Sequence, residues 1–239
     1  MTGYADDQYE GNYPDGIQDH YWILGRNQIL YRLLMHFGTN DATLDIGCGR
    51  GVVVKYMRDR GVEAWGCEIA EPRPITEDIS PYLMLGQNAL SLGDDISKQV
   101  KQLLLLDVLE HVEEPRDFML RCIDKFPNAR RMLITLPARR ELWSNYDERY
   151  GHFQRYSKQE AAELVDGYEI LELDYFFHAL YPAMRLFKRL KIDRQEQVMP
   201  PTRTATKLAH RFLARAFDIE ARVLPGGIFG TSLYVLIEL

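Results

Sequence analysis

The 239-residue chain reads as an α/β fold, a seven-stranded, mostly parallel sheet with helices on both faces and an antiparallel last strand, and three observations predict it. Short apolar runs alternate with segments of helical period, the pattern of strand-helix-strand units in a parallel sheet. One run, residues 101–107, holds the four consecutive leucines Leu103 to Leu106, as a strand buried on both faces requires. The runs at 168–174 and 231–238 alternate polar and apolar residues instead, which suits an antiparallel pair near a sheet edge. With 46% hydrophobic content, one domain spanning 1–239 can bury a sizeable core.

Taken in order, residues 1–18 are polar and contain glycine, and they are expected to be mobile at first and then ordered against the body. Helical periodicity starts near Asp19, runs through Trp22, Ile23, Ile29, Leu30, Leu33 and Leu34, and stops at Gly38, making 1–38 an N-terminal helical extension. Trp22 and Arg26 share one face of that helix. They either pack on the sheet and face water, respectively, or border a pocket. The strand at 42–46 then meets a helix at 52–60 through Gly47, Gly49 and Gly51. Glycine permits positive φ and close approach of a ligand to bare backbone, and the following helix aims free amides into the turn. The next strand, 63–67, ends at Glu68, about 20 residues on, where a carboxylate reaches a ribose diol in nucleotide-binding units. The combination says nucleoside. Asp45 at the turn entrance would repel a pyrophosphate and attract a cationic amino-acid tail, which favours S-adenosylmethionine over NAD.

At this turn the sequence resembles the class I S-adenosylmethionine-dependent methyltransferases, whose first motif is similar to Leu44-Asp45-Ile46-Gly47-Cys48-Gly49-Arg50-Gly51. The resemblance implies a Rossmann-like sheet, S-adenosyl-L-methionine as cofactor, and contacts to it from Asp45, Gly47, Cys48, Gly49, Gly51 and Glu68. It also places Trp22 and Arg26 at the cofactor pocket, because relatives carry a similar Trp-x-x-x-Arg helix. After a third strand at 82–85, Gln87 stands where relatives carry an acid or amide that recognises adenine. Gly93-Asp94-Asp95 competes for that role, although a helix-capping turn is the simpler reading. Asp107-Val108-Leu109-Glu110-His111-Val112 closes the fourth strand where an open α/β sheet places ligands. It resembles the family's fourth-strand signature, with Asp107 and Val108 beside the methionine part of the cofactor. His111 is either a proton acceptor or a packing and capping residue.

Glu114-Pro115 opens a helix to about Phe126, and 131–136 forms a fifth strand. Residues 137–156 then lack a clean period, and long irregular segments in compact domains are usually functional. One branch of the family carries a similar series of Pro-Ala, Leu-Trp-Ser, Asp and Gly-His-x-x-Arg-Tyr. The resemblance implies an active-site lid, with Trp143, Asp147, Arg155 and Tyr156 binding substrate and Tyr150 and His152 joining His111 as candidate catalytic groups. Its rival is an ordered surface loop knitted by its own hydrogen bonds. Gln154 stands where relatives often have Arg. Ser157 and Glu160 form a capping box for a helix through Val165. Between the sixth and last strands lies a helical insertion, 176–228, with basic amphipathic runs at 176–190 and 207–217. It forms either two helices packed on the body with basic faces in water or a cap that docks on a membrane or a lipid-linked acceptor.

Charge is uneven. The chain totals −6, whereas residues 185–222 carry ten Lys and Arg against four Asp and Glu, a net +6, which leaves −12 for the rest. The acidic body argues against nucleic acid as a partner; the basic 185–222 segment leaves room for peripheral membrane contact. The expected acceptor is a small metabolite, a sugar or a lipid-linked molecule. Cys48, Cys67 and Cys122 lack metal-ligand spacing, so no metal is expected. Without a signal-peptide pattern or an apolar run of spanning length, a cytoplasmic location is expected. An NAD-type oxidoreductase and a non-catalytic S-adenosylmethionine-binding protein are the alternative functions, and oligomeric state is not readable.

Overall fold

The computed structural model describes residues 13–37, 41–192 and 199–239. The expected helix stop at Gly38, residues 1–12, and residues 193–198 of the insertion lie outside the described residues. Seven strands, β1 (Thr43–Ile46), β2 (Ala64–Glu68), β3 (Leu83–Leu85), β4 (Gln102–Leu106), β5 (Arg131–Pro137), β6 (Glu169–Phe176) and β7 (Ser232–Glu238), form one sheet in the order β3-β2-β1-β4-β5-β7-β6. The pairs from β3 through β5 are parallel, and β7 runs antiparallel to both β5 and β6.

The four leucines divide between two cores. Leu103 and Leu105 join one face with Phe118, Met119, Cys122 and Phe126 of the helix α4 region, α4 being Pro115–Lys125. Leu104 and Leu106 join the other face with Ile29, Leu30, Leu33 and Leu34 of α1 (Tyr21–His36) and Val53, Val54 and Met57 of α2 (Val52–Arg58). Alternate side chains of a strand point to opposite faces, so a continuous apolar run is what a doubly covered sheet needs.

Short helices complete the frame: α3 (Asp94–Gln99), α5 (Asn145–Arg149) and α6 (Lys158–Leu164), the last capped by the Ser157–Glu160 box as its sequence predicts. The 137–156 stretch is thus less irregular than its period suggests, since it holds a 3-10 turn at Arg140–Leu142 and α5. Both are too short to show a period. The insertion forms α7 (Leu180–Arg189) and α8 (Thr204–Val223). Phe176 and Phe177, read as the start of a helix, instead end β6 and turn the chain, with Phe177 at φ 58°. Helix α8 lies against α1: Phe217 packs in the α1 core, Asp218 accepts from Arg32 at 3.0 Å, and Lys207 pairs with Asp19 at 2.8 Å. A Cβ on Gly25 of α1 would already sit 3.3 Å from Phe177 and 3.5 Å from Phe217, so a small residue permits this close crossing. Part of the insertion is therefore a wall of the body.

Candidate active site

Strand order reverses between β1 and β4, with β2 on one side and β5 on the other. A crevice opens beyond the carboxyl ends of strands at such a point. The turn after β1 and the turn after β4 flank it. Gly47 adopts φ 79°, and a Cβ there would meet Val108 Cγ2 at 2.7 Å. Gly51, also at φ 79°, would drive a Cβ to 2.7 Å from Ile79 and 2.8 Å from Leu83. Backbone conformation and lack of room therefore both demand glycine. The first turn is held from below, where Gly47 and Cys48 donate to the Cys67 carbonyl at 2.8 and 3.2 Å. It is held from the side by Glu68, whose buried carboxylate accepts from Gly49 N at 3.0 Å and from Ile69 N at 2.8 Å.

Across the crevice, Asp107 sits at φ 57°, a left-handed conformation that Asp tolerates better than most residues. Its carboxylate accepts from Thr135 Oγ1 at 3.0 Å and from the Arg26 guanidinium. Arg26 is buried, and its guanidinium lies 5.0 Å from the Trp22 ring centroid. The Trp22–Arg26 face of α1 therefore turns into the crevice. Asp45 lies in the same group. Burial pushes its carboxyl up to about 7, with Arg26 opposing and the charges of Glu68 and Asp107 adding. Burial likewise pushes the Tyr13 hydroxyl up to about 12, with Arg26 opposing.

The 137–156 segment closes the far side. Asp147 is wholly buried and serves as its hub, accepting from Ser144 N at 2.9 Å and Arg155 Nε at 2.8 Å and bonding His152 Nδ1 at 2.9 Å. Burial alone would raise the Asp147 carboxyl, but the bonds from His152 and Arg155 outweigh it and hold the group at about 2. Arg155 Nη1 also reaches the Ala138 carbonyl at 3.0 Å, and Phe153 N donates to the Glu110 carbonyl at 2.7 Å. The segment is thereby stitched to the turn after β4. His111 and His152 meet edge to face with centroids 4.8 Å apart, and burial with the neighbouring His152 lowers His111 to about 4. Glu110, 1% exposed, is pushed well above the usual carboxylate range by burial and by Asp107.

The glycine turn, the Arg26–Asp107 pair and the histidine pair line one cavity of about 880 Å³. Of the residues singled out in the sequence, Trp22, Arg26, Asp45, Gly47, Cys48 and Gly49 are on its wall, as are Glu68, Gln87, Asp107 and Val108. His111 lines it from the turn after β4, and Tyr150, His152 and Arg155 from the 137–156 segment. Four others lie elsewhere. Gly51 sits behind the turn against Ile79 and Leu83, and Asp147 lies behind His152 and Arg155. Tyr156 is packed in the core beneath β5, with its hydroxyl 3.4 Å from the Leu109 carbonyl. Trp143 is off the wall: its indole Nε1 donates to Glu148 at 3.4 Å, and its main-chain carbonyl accepts from Lys188 Nζ of the insertion at 2.6 Å. Asp94 and Asp95 open α3 and are exposed.

Sequence reasoning passed over Tyr13, Arg50 and Glu110. Arg50, 2% exposed, donates to the Arg73 carbonyl at 2.8 Å, to Asp15 at 2.7 Å and to the Tyr13 carbonyl, which clamps the N-terminal segment over the glycine turn. An arginine inside a glycine motif gives no sign of its partners. The cavity fits S-adenosylmethionine: bare backbone at Gly47, a buried carboxylate one strand away at Glu68, and further acids at Asp45 and Asp107 suit a cationic nucleoside.

Comparison with known proteins agrees. Residues 21–173 match the family model described as a methyltransferase domain. Over 101 residues the chain is 28% identical to the mitochondrial ubiquinone biosynthesis O-methyltransferase of Schizosaccharomyces pombe, a match that takes in 39% of this chain and only 37% of that protein. Among solved structures, it is similar to the N-methyltransferase NodS from Bradyrhizobium japonicum WM9 in complex with S-adenosyl-L-homocysteine, at 12% identity and TM-score 0.54, covering 98% of this chain and 97% of the other. It is also similar to the 1,6-didemethyltoxoflavin-N1-methyltransferase of Burkholderia thailandensis, at 13% identity and TM-score 0.53, covering 90% and 77%. At such identities these two likenesses establish the fold. The family match selects transferase over the oxidoreductase alternative, and the chain belongs to the methyltransferase-domain family as a class I S-adenosylmethionine-dependent methyltransferase.

Proposed function

We propose that this enzyme methylates a hydroxyl on an apolar, membrane-resident small molecule, docking reversibly on the cytoplasmic face of a bilayer to reach it. One observation carries the reading: the cavity that begins at the glycine turn runs out under the insertion, where Leu180, Ala183, Met184, Phe187, Ile192 and Met199 wall it. An acceptor entering by that route meets apolar side chains. Outside the mouth the same helices expose Leu186, Leu190, Leu208 and Phe212, the last 75% exposed, among Arg185, Lys188, Arg189, Lys207 and Arg211. Apolar residues ringed by cations match an interfacial surface on anionic lipid. No helix of the described residues is long and apolar enough to cross a membrane. The yeast relative's name, a quinone-pathway O-methyltransferase, is consistent with an apolar hydroxylated acceptor.

Within the cavity, Glu68 is assigned to the ribose diol, Gln87 to the adenine edge, and Asp45 with Asp107 to the cationic end of the cofactor. Trp22 and Arg26 bound that end. The bound cofactor supplies an activated methyl group whose departure leaves a neutral thioether. The protein's own task is positioning: holding donor and acceptor within about 3 to 3.5 Å and excluding water can supply several kcal/mol. Tyr150, His111 and His152 are assigned to the acceptor end, directly or through a bound group, with Arg155 beside them; their shared place on the cavity wall supports this. The hydroxyl proton must leave as the carbon-oxygen bond forms. The test incubates enzyme and tritiated cofactor with a cell extract divided into lipid and aqueous fractions. Label in the lipid fraction supports the proposal; label confined to water-soluble metabolites overturns the acceptor class while leaving methyl transfer intact.

A further inference from the structure

We propose that Glu110, His111 and His152 form a binding site for one divalent transition-metal ion at the acceptor end of the cavity. Among the described residues they form a group of three whose ligand atoms all lie within 4.8 Å of one another. Three points so spaced share a centre no more than about 2.8 Å away, against bonds of about 2.0–2.2 Å for imidazole and carboxylate on zinc, so closure takes at most about 0.6–0.8 Å of movement per ligand. Two imidazoles and one carboxylate on one side of an ion make a facial set with open positions opposite. All three line the same cavity as the glycine turn.

Three features separate this group from a chance cluster. First, Glu110 is 1% exposed and its Oε2 is buried without a hydrogen-bond partner, a costly state that a cation would relieve. Second, His152 bonds through Nδ1 to Asp147 at 2.9 Å, and Asp147 is itself held by Arg155 and Ser144. An ionised carboxylate accepts only, so Nδ1 carries the proton and Nε2 keeps its lone pair for a ligand bond. A carboxylate behind a ligating histidine is the usual means of fixing its tautomer and aim. Third, the two halves of the site are tied together by Phe153 N donating to the main-chain carbonyl of Glu110 at 2.7 Å and by the His111 ring bonding to the backbone of Tyr150 and Gly151.

For the reaction, an ion held by Glu110, His111 and His152 would supply Lewis-acid polarisation of the acceptor oxygen. The hydroxyl would lose its proton to bulk water as the acceptor enters, before water is excluded; the oxygen lone pair then forms the new carbon-oxygen bond, and the carbon-sulfur electron pair stays on sulfur. This role rests on the O-methylation reading; metal binding itself does not.

The experiment uses the untagged full chain, stripped with a chelator, dialysed, and titrated calorimetrically with Zn²⁺ and separately with Mn²⁺, in the absence of cofactor. One equivalent of Zn²⁺ is expected, with affinity lowered at least about tenfold in Asp147→Asn, as loss of a bracing carboxylate costs, and saturable binding lost in Glu110→Gln and His152→Asn. His36→Ala, an exposed histidine at the end of α1, should bind as the unaltered chain does. Binding of S-adenosyl-L-homocysteine to each variant checks folding and reports on the cofactor site separately. Should both ligand variants misfold, the Co²⁺-loaded wild-type chain decides, since nitrogen ligation gives visible bands that hydrated cobalt lacks. A folded chain that takes up no stoichiometric metal, variants that retain it, or a cobalt spectrum equal to that of the free ion would each overturn the site.

Discussion

Glu68 offers the sharpest test of how the cavity holds a nucleoside. Its carboxylate accepts from Gly49 N at 3.0 Å, Ile69 N at 2.8 Å and Ala70 N at 3.3 Å, so it is fixed before any ligand arrives. A pre-aimed carboxylate that also bonds a ribose diol contributes a charge-assisted interaction of about 1.5–3 kcal/mol. Glu68→Ala should therefore weaken S-adenosyl-L-homocysteine by about 10- to 150-fold, and Glu68→Gln, which keeps an acceptor oxygen but loses the charge, by less. Bracing of the glycine turn could weaken binding too, and a ligand modification separates the two causes. If Glu68 holds the diol, a 2′-deoxy analogue and Glu68→Ala remove the same interaction, and their penalties do not add. If Glu68 only braces the turn, the penalties add in full. Calorimetric titration of the four combinations decides. A loss under about threefold in Glu68→Ala, or full additivity with the analogue, refutes the assignment.

Cofactor affinity should depend on pH through Asp45. Its carboxyl titrates at about 7 and a cationic ligand prefers it ionised, so S-adenosylmethionine affinity rises from pH 6 to pH 8 and Asp45→Asn flattens the rise, as buffered titrations would show. The same group has a folded pKa above the unfolded value of about 3.9, so the native state holds the extra proton between those values. Asp45 therefore lowers stability as pH climbs from about 4 to 7, and urea melts of Asp45→Asn against the parent should diverge in that window. Arg26→Met leaves Asp107 without its charged partner; because the Asp107 side chain is 24% exposed and keeps the Thr135 bond, the expected loss is about 2–3 kcal/mol, below the range for a fully buried pair, with Arg26→Met/Asp107→Asn recovering part of it in urea melts. Phe212→Glu should leave stability within about 0.5 kcal/mol, since the ring is exposed, yet reduce sedimentation with anionic vesicles by at least about tenfold. Equal sedimentation would remove the membrane from the proposal.

Strand count, sheet class and the glycine turn were legible because each depends on local signals. A run such as Leu103–Leu106 can be satisfied only between two covered faces, and three glycines between a strand and a helix serve little but close backbone approach. The 137–156 segment was legible as important but not in its detail. Asp147 bonds forward to His152 and Arg155, and a carboxylate that braces two cavity residues carries the same letters as one that meets substrate. Tyr156 is similar: its ring belongs to the core through the pairing of Ala138 with Tyr156, a contact across the 137–156 segment that no period encodes. Glu110 was passed over because an acid beside a turn is normally solvated. Its burial follows only from the return of the chain at Phe153.

The charges around the cavity explain one another. Asp45, Glu68, Asp107 and Glu110 converge there, and among the cavity's own side chains Arg26, Arg50 and Arg155 oppose them, Arg50 being committed to Asp15 and to the Arg73 and Tyr13 carbonyls. Arg155 is already committed to Asp147 and the Ala138 carbonyl, and Arg26 to Asp107. Without a ligand the remaining acids cannot all stay ionised in a dry site, and burial raises Asp45 and Glu110 accordingly. S-adenosylmethionine carries a net positive charge, from sulfonium and ammonium against one carboxylate. Its demethylated product has lost the sulfonium and is net neutral. A cavity whose acids are short of counter-ions therefore stabilises substrate cofactor over product. Removal of the sulfonium charge in the transfer step weakens the hold on what must leave. The same excess of carboxylates that repels a pyrophosphate at Asp45 thus favours both loading of the donor and release of the spent molecule.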